Sequence, residues 1–175
     1  GYAWIGCVTE VGADVDKIKV GDRVAMRKGH AEEHIEDVEN CMLLPDNLDP
    51  EKAAWFALAK ICYSGAMAAE YKLGSKVLII GGGPIGQMTL RWARSAGAEK
   101  IVMVEPIAMR KKFAIQGGAH HCINKRIDEA HDDITAAFDG EQPEIIIDGT
   151  GNAAVFQECL KACAHSGTVV ILGDT

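Results

Sequence analysis

The sequence predicts an α/β chain: a doubly wound parallel sheet preceded by a smaller β-rich module. Three observations carry this. Five apolar runs of strand length recur after residue 76, and helical segments separate them. Such runs suit parallel strands buried on both faces. A glycine-rich turn lies directly between the first of these strands and the helix that follows. The first 50 residues differ in composition, with short valine- and isoleucine-bearing runs broken by polar turns.

The elements follow in order. Residues 5–11 read as a strand ending at Gly12, followed by a polar turn over 13–19. Val20-Gly21-Asp22-Arg23-Val24 is a tight turn into a second short strand. Residues 31–38 and 41–44 read as further strands, and 45–50 as a loop. Asp49 is placed to cap a helix with Pro50 in its first turn. Residues 51–71 are Ala-rich and predict one or two helical segments, broken near Ser64-Gly65 and closed by Gly74.

From Lys76 onward strands and helices alternate. Strands are expected at 77–80, 101–104, 121–123, 144–148 and 168–172, and helices at 84–96, 108–116, 128–138 and 153–164. Gly97 and Gly117-Gly118 stop two of the helices. The expected domain division is residues 1–50 for the β module and 51–175 for the sheet domain, with 51–73 as a linking helical segment.

Composition narrows the function classes. A net charge of −7 argues against a nucleic-acid partner, which calls for a basic face. No apolar run reaches the roughly 20 residues that span a bilayer. The six cysteines, Cys7, Cys41, Cys62, Cys122, Cys159 and Cys163, include no C-x-x-C pair. Scattered thiols suit a reducing, cytoplasmic setting, and there is no secretory signal pattern. The chain begins at Gly1 rather than Met, so a segment of a longer protein is expected.

Gly81, Gly83 and Gly86 fit G-x-G-x-x-G in Gly81-Gly82-Gly83-Pro84-Ile85-Gly86. The pattern alone is weak, but its place between a buried strand and a helix is the context of a Rossmann dinucleotide site. Gly81 permits the tight turn, Gly83 lets a pyrophosphate approach the backbone, and Gly86 lets the helix pack on the strand. Free N–H groups of Ile85 and its neighbours, after Pro84, would then face the phosphates. A plain β–α turn is the alternative.

Glu105 ends the second strand, about 20 residues beyond the glycines, where a carboxylate can accept from the adenosine ribose hydroxyls. It would repel a 2′-phosphate, which favours NAD over NADP; Pro106 follows it rather than an arginine. The alternative is a surface glutamate capping the next helix. Arg110 is placed to reach the ribose edge, or is a solvated helix residue. Thr150, in Asp148-Gly149-Thr150-Gly151, and Leu172-Gly173, at the last strand end, lie where such sheets meet their ligands.

The ordered set Gly6-x-Val8-x-Glu10-Val11-Gly12, Lys19-Val20-Gly21-Asp22-Arg23-Val24, Leu44-Pro45-Asp46 and the glycine loop resembles the medium-chain dehydrogenase/reductase superfamily, which includes zinc alcohol dehydrogenases. The resemblance covers essentially the whole chain. It implies part of a GroES-like substrate domain and an NAD-binding Rossmann domain. Its zinc ligands do not carry over. Gly1-Tyr2-Ala3 stands where the family has Gly-His-Glu, the four-cysteine lobe after Gly-Asp-Arg-Val is absent, and the further ligand position near Ala57 is apolar. A zinc-free branch is implied, loosely similar to the one that includes the bacteriochlorophyll-pathway hydroxyethyl dehydrogenase.

Without zinc, a side chain must polarise the carbonyl. Tyr2 is the first candidate, because it takes the vacated ligand position; an ordinary strand tyrosine is the alternative. Lys60 sits in an apolar stretch whose burial would lower its pKa, and otherwise snorkels to solvent. His30 titrates in the right range, or is a surface histidine. The resulting expectation is an NAD(H) oxidoreductase acting on a small alcohol or carbonyl. An NADPH-dependent quinone or enone reductase and a non-catalytic nucleotide-binding module are the alternatives. An open sheet edge suggests a homodimer.

Overall fold

A computed structural model describes residues 3–173. The chain forms two compact units, the first ending at Ala57 and the second beginning at Leu58.

The first unit is built on a three-stranded antiparallel sheet of β1 (Trp4–Cys7), β2 (Arg23–Met26) and β3 (Met42–Leu43), in that order. The Gly-Asp-Arg-Val sequence explains its turn. Gly21 has φ +93°, a conformation that glycine adopts without strain. The Asp22 carboxylate accepts from the Lys19 N–H at 2.9 Å. The Arg23 guanidinium donates to the carbonyls of Pro45, Asp46 and Leu48 at 3.0, 2.6 and 3.1 Å, which fixes the loop after β3. Asp49 caps the short helix α1 (Pro50–Ala53) by accepting from the Glu51 N–H at 2.9 Å.

The strand expected over 31–38 does not form; a single 3-10 turn, Val38–Asn40, is the only regular element there. Side chains tie this segment down in place of a ladder. The Trp4 indole donates to the Ala31 carbonyl at 2.9 Å and meets the His34 ring edge-on at 5.3 Å. Lys28 pairs with Glu36. Its three glutamates are poor strand formers, and Ile35 lies fully exposed.

Helix α2 (Phe56–Ala69) is continuous. The expected break at Ser64-Gly65 is absent, and the interruption between helical segments falls at Ala54-Trp55 instead. Gly65 serves packing: a Cβ there would stand 2.5 Å from Leu172 Cδ1. The second unit continues with β4 (Lys76–Ile80), α3 (Pro84–Ser95), β5 (Lys100–Val104), α4 (Lys111–Gly117), β6 (His121–Ile123), α5 (His131–Ala137), β7 (Ile145–Asp148), α6 (Ala153–Ala162) and β8 (Thr168–Ile171). The strands form one parallel sheet in the order β6-β5-β4-β7-β8.

Alternate side chains of each strand go to opposite faces. Val77, Ile79, Ile101 and Met103 pack with Leu90 and Ala93 of α3 and Ala114 of α4. Leu78, Ile80, Val102, Val104 and Ile146 pack with Ile134 of α5, Phe138, and Cys159 of α6. The sheet is therefore covered on both faces, which is why its strands read as unbroken apolar runs.

Candidate functional site

The chain leaves β4 for β5 and β6 on one side, then returns to β7 and β8 on the other. The carboxyl ends of β4 and β7 thus flank the switch point where open α/β sheets bind ligands. A groove of about 250 Å³ at the opposite edge, beside Glu70, Ser75, Glu144 and His165, faces the amino ends of the strands, where such sheets do not take their ligands.

The glycine loop fills the switch point. Gly81 has φ +91°, and its N–H continues the ladder to the Val104 carbonyl at 2.9 Å. A Cβ on Gly86 would stand 1.8 Å from the Gly81 carbonyl oxygen, so the helix can sit this close only with glycine there. Gly83 is the N-cap of α3, with Pro84 first in the helix. Nothing lies within 4 Å of a Cβ built on Gly83, so that side of the loop is open. The first helical turn leaves the Ile85 and Gly86 N–H groups without a carbonyl inside the helix, beside its positive dipole end. An anionic phosphate suits this place.

Glu105 follows β5 and is 2% exposed. Its Oε2 accepts from the Gly82 N–H at 2.6 Å and from Arg110 Nη1 at 3.0 Å. Its Oε1 accepts from the Ile107 N–H at 2.7 Å. Asn124 donates to its carbonyl at 3.0 Å. Sequence reasoning gave Gly82 no task, yet a Cβ there would meet Glu105 Cγ at 2.9 Å and Met103 Sδ at 3.1 Å. A glycine facing a buried carboxylate from another strand is a tertiary relation with no local signature.

The neighbouring loops close on the same edge. Asp148 is 1% exposed, and its Oδ1 accepts from the Thr150 N–H at 2.8 Å and hydroxyl at 2.6 Å. Its carbonyl accepts from the Leu172 and Gly173 N–H groups at 2.8 and 3.1 Å. Asp148 therefore shapes both the Thr150 turn and the end of β8, a role its sequence position alone did not show. A Cβ on Gly81 would stand 3.0 Å from Thr150 Cγ2, and one on Gly173 would stand 1.9 Å from the Gly151 nitrogen. Gly81, Gly83, Pro84, Ile85, Gly86, Glu105, Arg110, Thr150, Leu172 and Gly173 thus share the carboxyl edge of the sheet.

The three candidates for proton chemistry are not gathered there. Tyr2 lies outside the described residues. Lys60 is exposed, so the burial expected of its apolar stretch is absent. His30 is exposed on the segment after β2. Among the described residues, no three His, Cys, Asp or Glu side chains are grouped to hold a metal ion. Cys41 points its thiol at Met26 Sδ, 3.5 Å away.

Comparison with known proteins adds the following. A family model described as zinc-binding dehydrogenase matches residues 84–174. The chain is 30% identical over 168 residues to D-guloside 3-dehydrogenase of Escherichia coli K12, covering 94% of this chain and 48% of that protein. Zinc-dependent alcohol dehydrogenase 2 of Streptococcus pneumoniae superposes with a TM-score of 0.83 at 26% identity, over 99% of this chain and 59% of that one. Escherichia coli quinone oxidoreductase, solved with NADPH, superposes with a TM-score of 0.79 at 24% identity, over 97% and 54%. The last shows likeness of fold alone. The chain spans about half the length of the curated relatives it matches.

Proposed function

Because the chain belongs to the zinc-binding dehydrogenase family of the medium-chain dehydrogenase/reductase superfamily, we propose that its protein moves a hydride between NAD(H) and a small alcohol or carbonyl, without zinc. The observation that carries this is the Gly83 side of the loop, open over the amino end of α3 at the switch point of the sheet. Relatives named as dehydrogenases support the oxidoreductase class. The nicotinamide supplies the hydride chemistry. The chain's own part is to seat the pyrophosphate on the Ile85 and Gly86 amides and the adenosine ribose beside Glu105 and Arg110. Thr150, Leu172 and Gly173 line the approach toward the nicotinamide.

The zinc-free reading rests on Gly1-Tyr2-Ala3 in place of Gly-His-Glu and on the apolar residue Ala57 at the further ligand position. Tyr2 is proposed as the donor that polarises the substrate oxygen, with Lys60 and His30 as the alternatives. The domain division proposed is residues 1–50 for substrate and 51–175 for NAD. A second copy adding at the β8 edge, where Ile171 is half exposed, belongs to the same proposal, as does a cytoplasmic setting for six free thiols. Among the described residues no helix is long and apolar enough to cross a membrane.

The test is NADH titration by energy transfer from the tryptophans, then a carbonyl panel, with elemental analysis of the whole protein. Saturable NADH binding, NADH oxidation by at least one carbonyl and no stoichiometric zinc are expected. About one zinc per chain would refute the zinc-free reading. Tight NADH binding with no turnover on any carbonyl would favour a nucleotide-binding module without catalysis. Turnover of quinones with NADPH alone would favour the reductase reading, which Arg110 beside the ribose position supports.

A further inference from the structure

The turn after β7 and the end of β8 are tied to one residue. Asp148 is 1% exposed, and hydrogen-bond donors from both segments end on it. Its Oδ1 accepts from the Thr150 N–H at 2.8 Å and from the Thr150 hydroxyl at 2.6 Å. Its carbonyl accepts from the Leu172 and Gly173 N–H groups at 2.8 and 3.1 Å. The two segments also touch: a Cβ on Gly173 would stand 1.9 Å from the Gly151 nitrogen.

The same turn reaches the glycine loop. The Gly149 N–H donates to the Ile80 carbonyl at 2.9 Å, and the Thr150 methyl lies 3.0 Å from the position of a Cβ on Gly81. Thr150 is therefore held on two sides, its methyl against the residue after β4 and its hydroxyl proton on Asp148. A hydroxyl has one proton, so the Thr150 oxygen is otherwise an acceptor; the Asn152 N–H reaches it at 3.3 Å. A buried group that collects donors from separate segments fixes those segments relative to each other.

Resting on the nicotinamide reading above, we infer that Asp148 is a positioning residue for the reacting end of the cofactor. It joins the Thr150 turn to Leu172 and Gly173, the segments that line the approach toward the nicotinamide. The pyrophosphate seat at Ile85 and Gly86 belongs to α3, and none of these bonds runs to it. Asp148 therefore governs how the nicotinamide is aimed, more than how tightly the dinucleotide is held. The lock requires an acceptor oxygen at the Oδ1 position; it does not require the charge.

Amide exchange, followed by NMR on the intact protein, tests the lock without cofactor. Asp148→Ala keeps the carbonyl that Leu172 and Gly173 use and removes only the carboxylate. Exchange at Thr150 then rises about tenfold or more, and exchange at Leu172 and Gly173 rises with it. A rise at Thr150 alone would overturn the lock between the segments. Steady-state kinetics with NADH and a carbonyl test the aim. Asp148→Ala lowers kcat about tenfold or more and leaves the KM for NADH within about threefold. Asp148→Asn, which keeps an acceptor oxygen, recovers most of that loss. Thr150→Val, at an exposed residue, lowers kcat in the same sense, and decides the matter if Asp148→Ala does not fold. The double variant Asp148→Ala/Thr150→Val loses no more than Asp148→Ala alone, because the hydroxyl bond is already broken. Losses that multiply, no recovery in Asp148→Asn, or a change in KM alone would each overturn the inference. Failure of the unaltered protein to bind or oxidise NADH would sink the hydride-transfer reading and the aiming role with it, while amide exchange would still decide the lock.

Discussion

Replacing Gly83 with valine separates binding from folding. Gly83 has φ −70° and ψ −173°, an extended conformation open to any residue, and no atom lies within 4 Å of its Cβ position. The folding cost is that of a poor N-cap, roughly 1 kcal/mol. That corresponds to a fall in Tm of about 2–4 °C for a chain of this size. The binding cost is larger. Two branched methyl groups enter the space where pyrophosphate would meet the Ile85 and Gly86 amides. Losing two charge-assisted hydrogen bonds, at roughly 1.5–3 kcal/mol each, removes about 3–6 kcal/mol. NADH affinity then falls by about two to four orders of magnitude. Gly86→Ala is the counterpart. Its Cβ would stand 1.8 Å from the Gly81 carbonyl oxygen, a backbone atom that cannot swing aside. It costs about 3 kcal/mol or more in stability. Thermal unfolding and fluorescence titration, run side by side, read the two effects. NADH affinity of Gly83→Val within threefold of the unaltered protein would refute the loop assignment. So would a Tm loss in Gly83→Val as large as that in Gly86→Ala.

Further outcomes follow from single contacts. Gly65→Ala gains about 1 kcal/mol of helix propensity but pushes on the Leu172 side chain at 2.5 Å. Leu172 can turn, so the net change in unfolding free energy, read by denaturant titration, is within about 2 kcal/mol; a loss above that would show that Leu172 is fixed. Burial, together with nearby Asp148, pushes the Cys159 thiol up to about 12. Folding thus keeps its proton, and the stability this contributes, whole below pH 9, is lost as pH rises toward 12. Cys159→Ala should flatten that alkaline limb in denaturation curves, and alkylation of the folded chain at pH 8 should modify exposed Cys7 while sparing Cys159. Hydrogen bonds from Lys161 and then His131 hold the Glu158 carboxyl below its usual range. The stability it contributes is present above the ordinary carboxylate value and lost as pH falls through that range. Glu158→Gln should remove that part of the acid limb, and an unaltered acid midpoint would show that the pairs are too exposed to matter.

The sequence alone disclosed the parallel sheet, because its central strands are apolar on both faces and each connection is helical. Val77 to Ile80 and Ile101 to Val104 could be little else. It also disclosed the glycine loop, because the steric demands at Gly81 and Gly86 are local to one strand and one helix. Asp49 and Pro50 marked a helix start for the same reason. Readings that depended on neighbours distant in sequence fared differently. Gly65 looked like a helix breaker, yet it makes room for Leu172, more than 100 residues away. Residues 31–38 looked like a strand, yet Trp4 and Lys28 claim them by side-chain contacts.

Glu105 shows the division most plainly. Its place after a strand said that a carboxylate ends β5 at the carboxyl edge of the sheet. Which donors fill that carboxylate was decided only when Gly82, Ile107 and Arg110 were brought around it. Sequence determines what local sterics and burial pattern require: strands, helices and the turn between them. Tertiary structure decides how each buried polar group spends its hydrogen bonds, because the partners come from separate segments and only folding sets the distances between them.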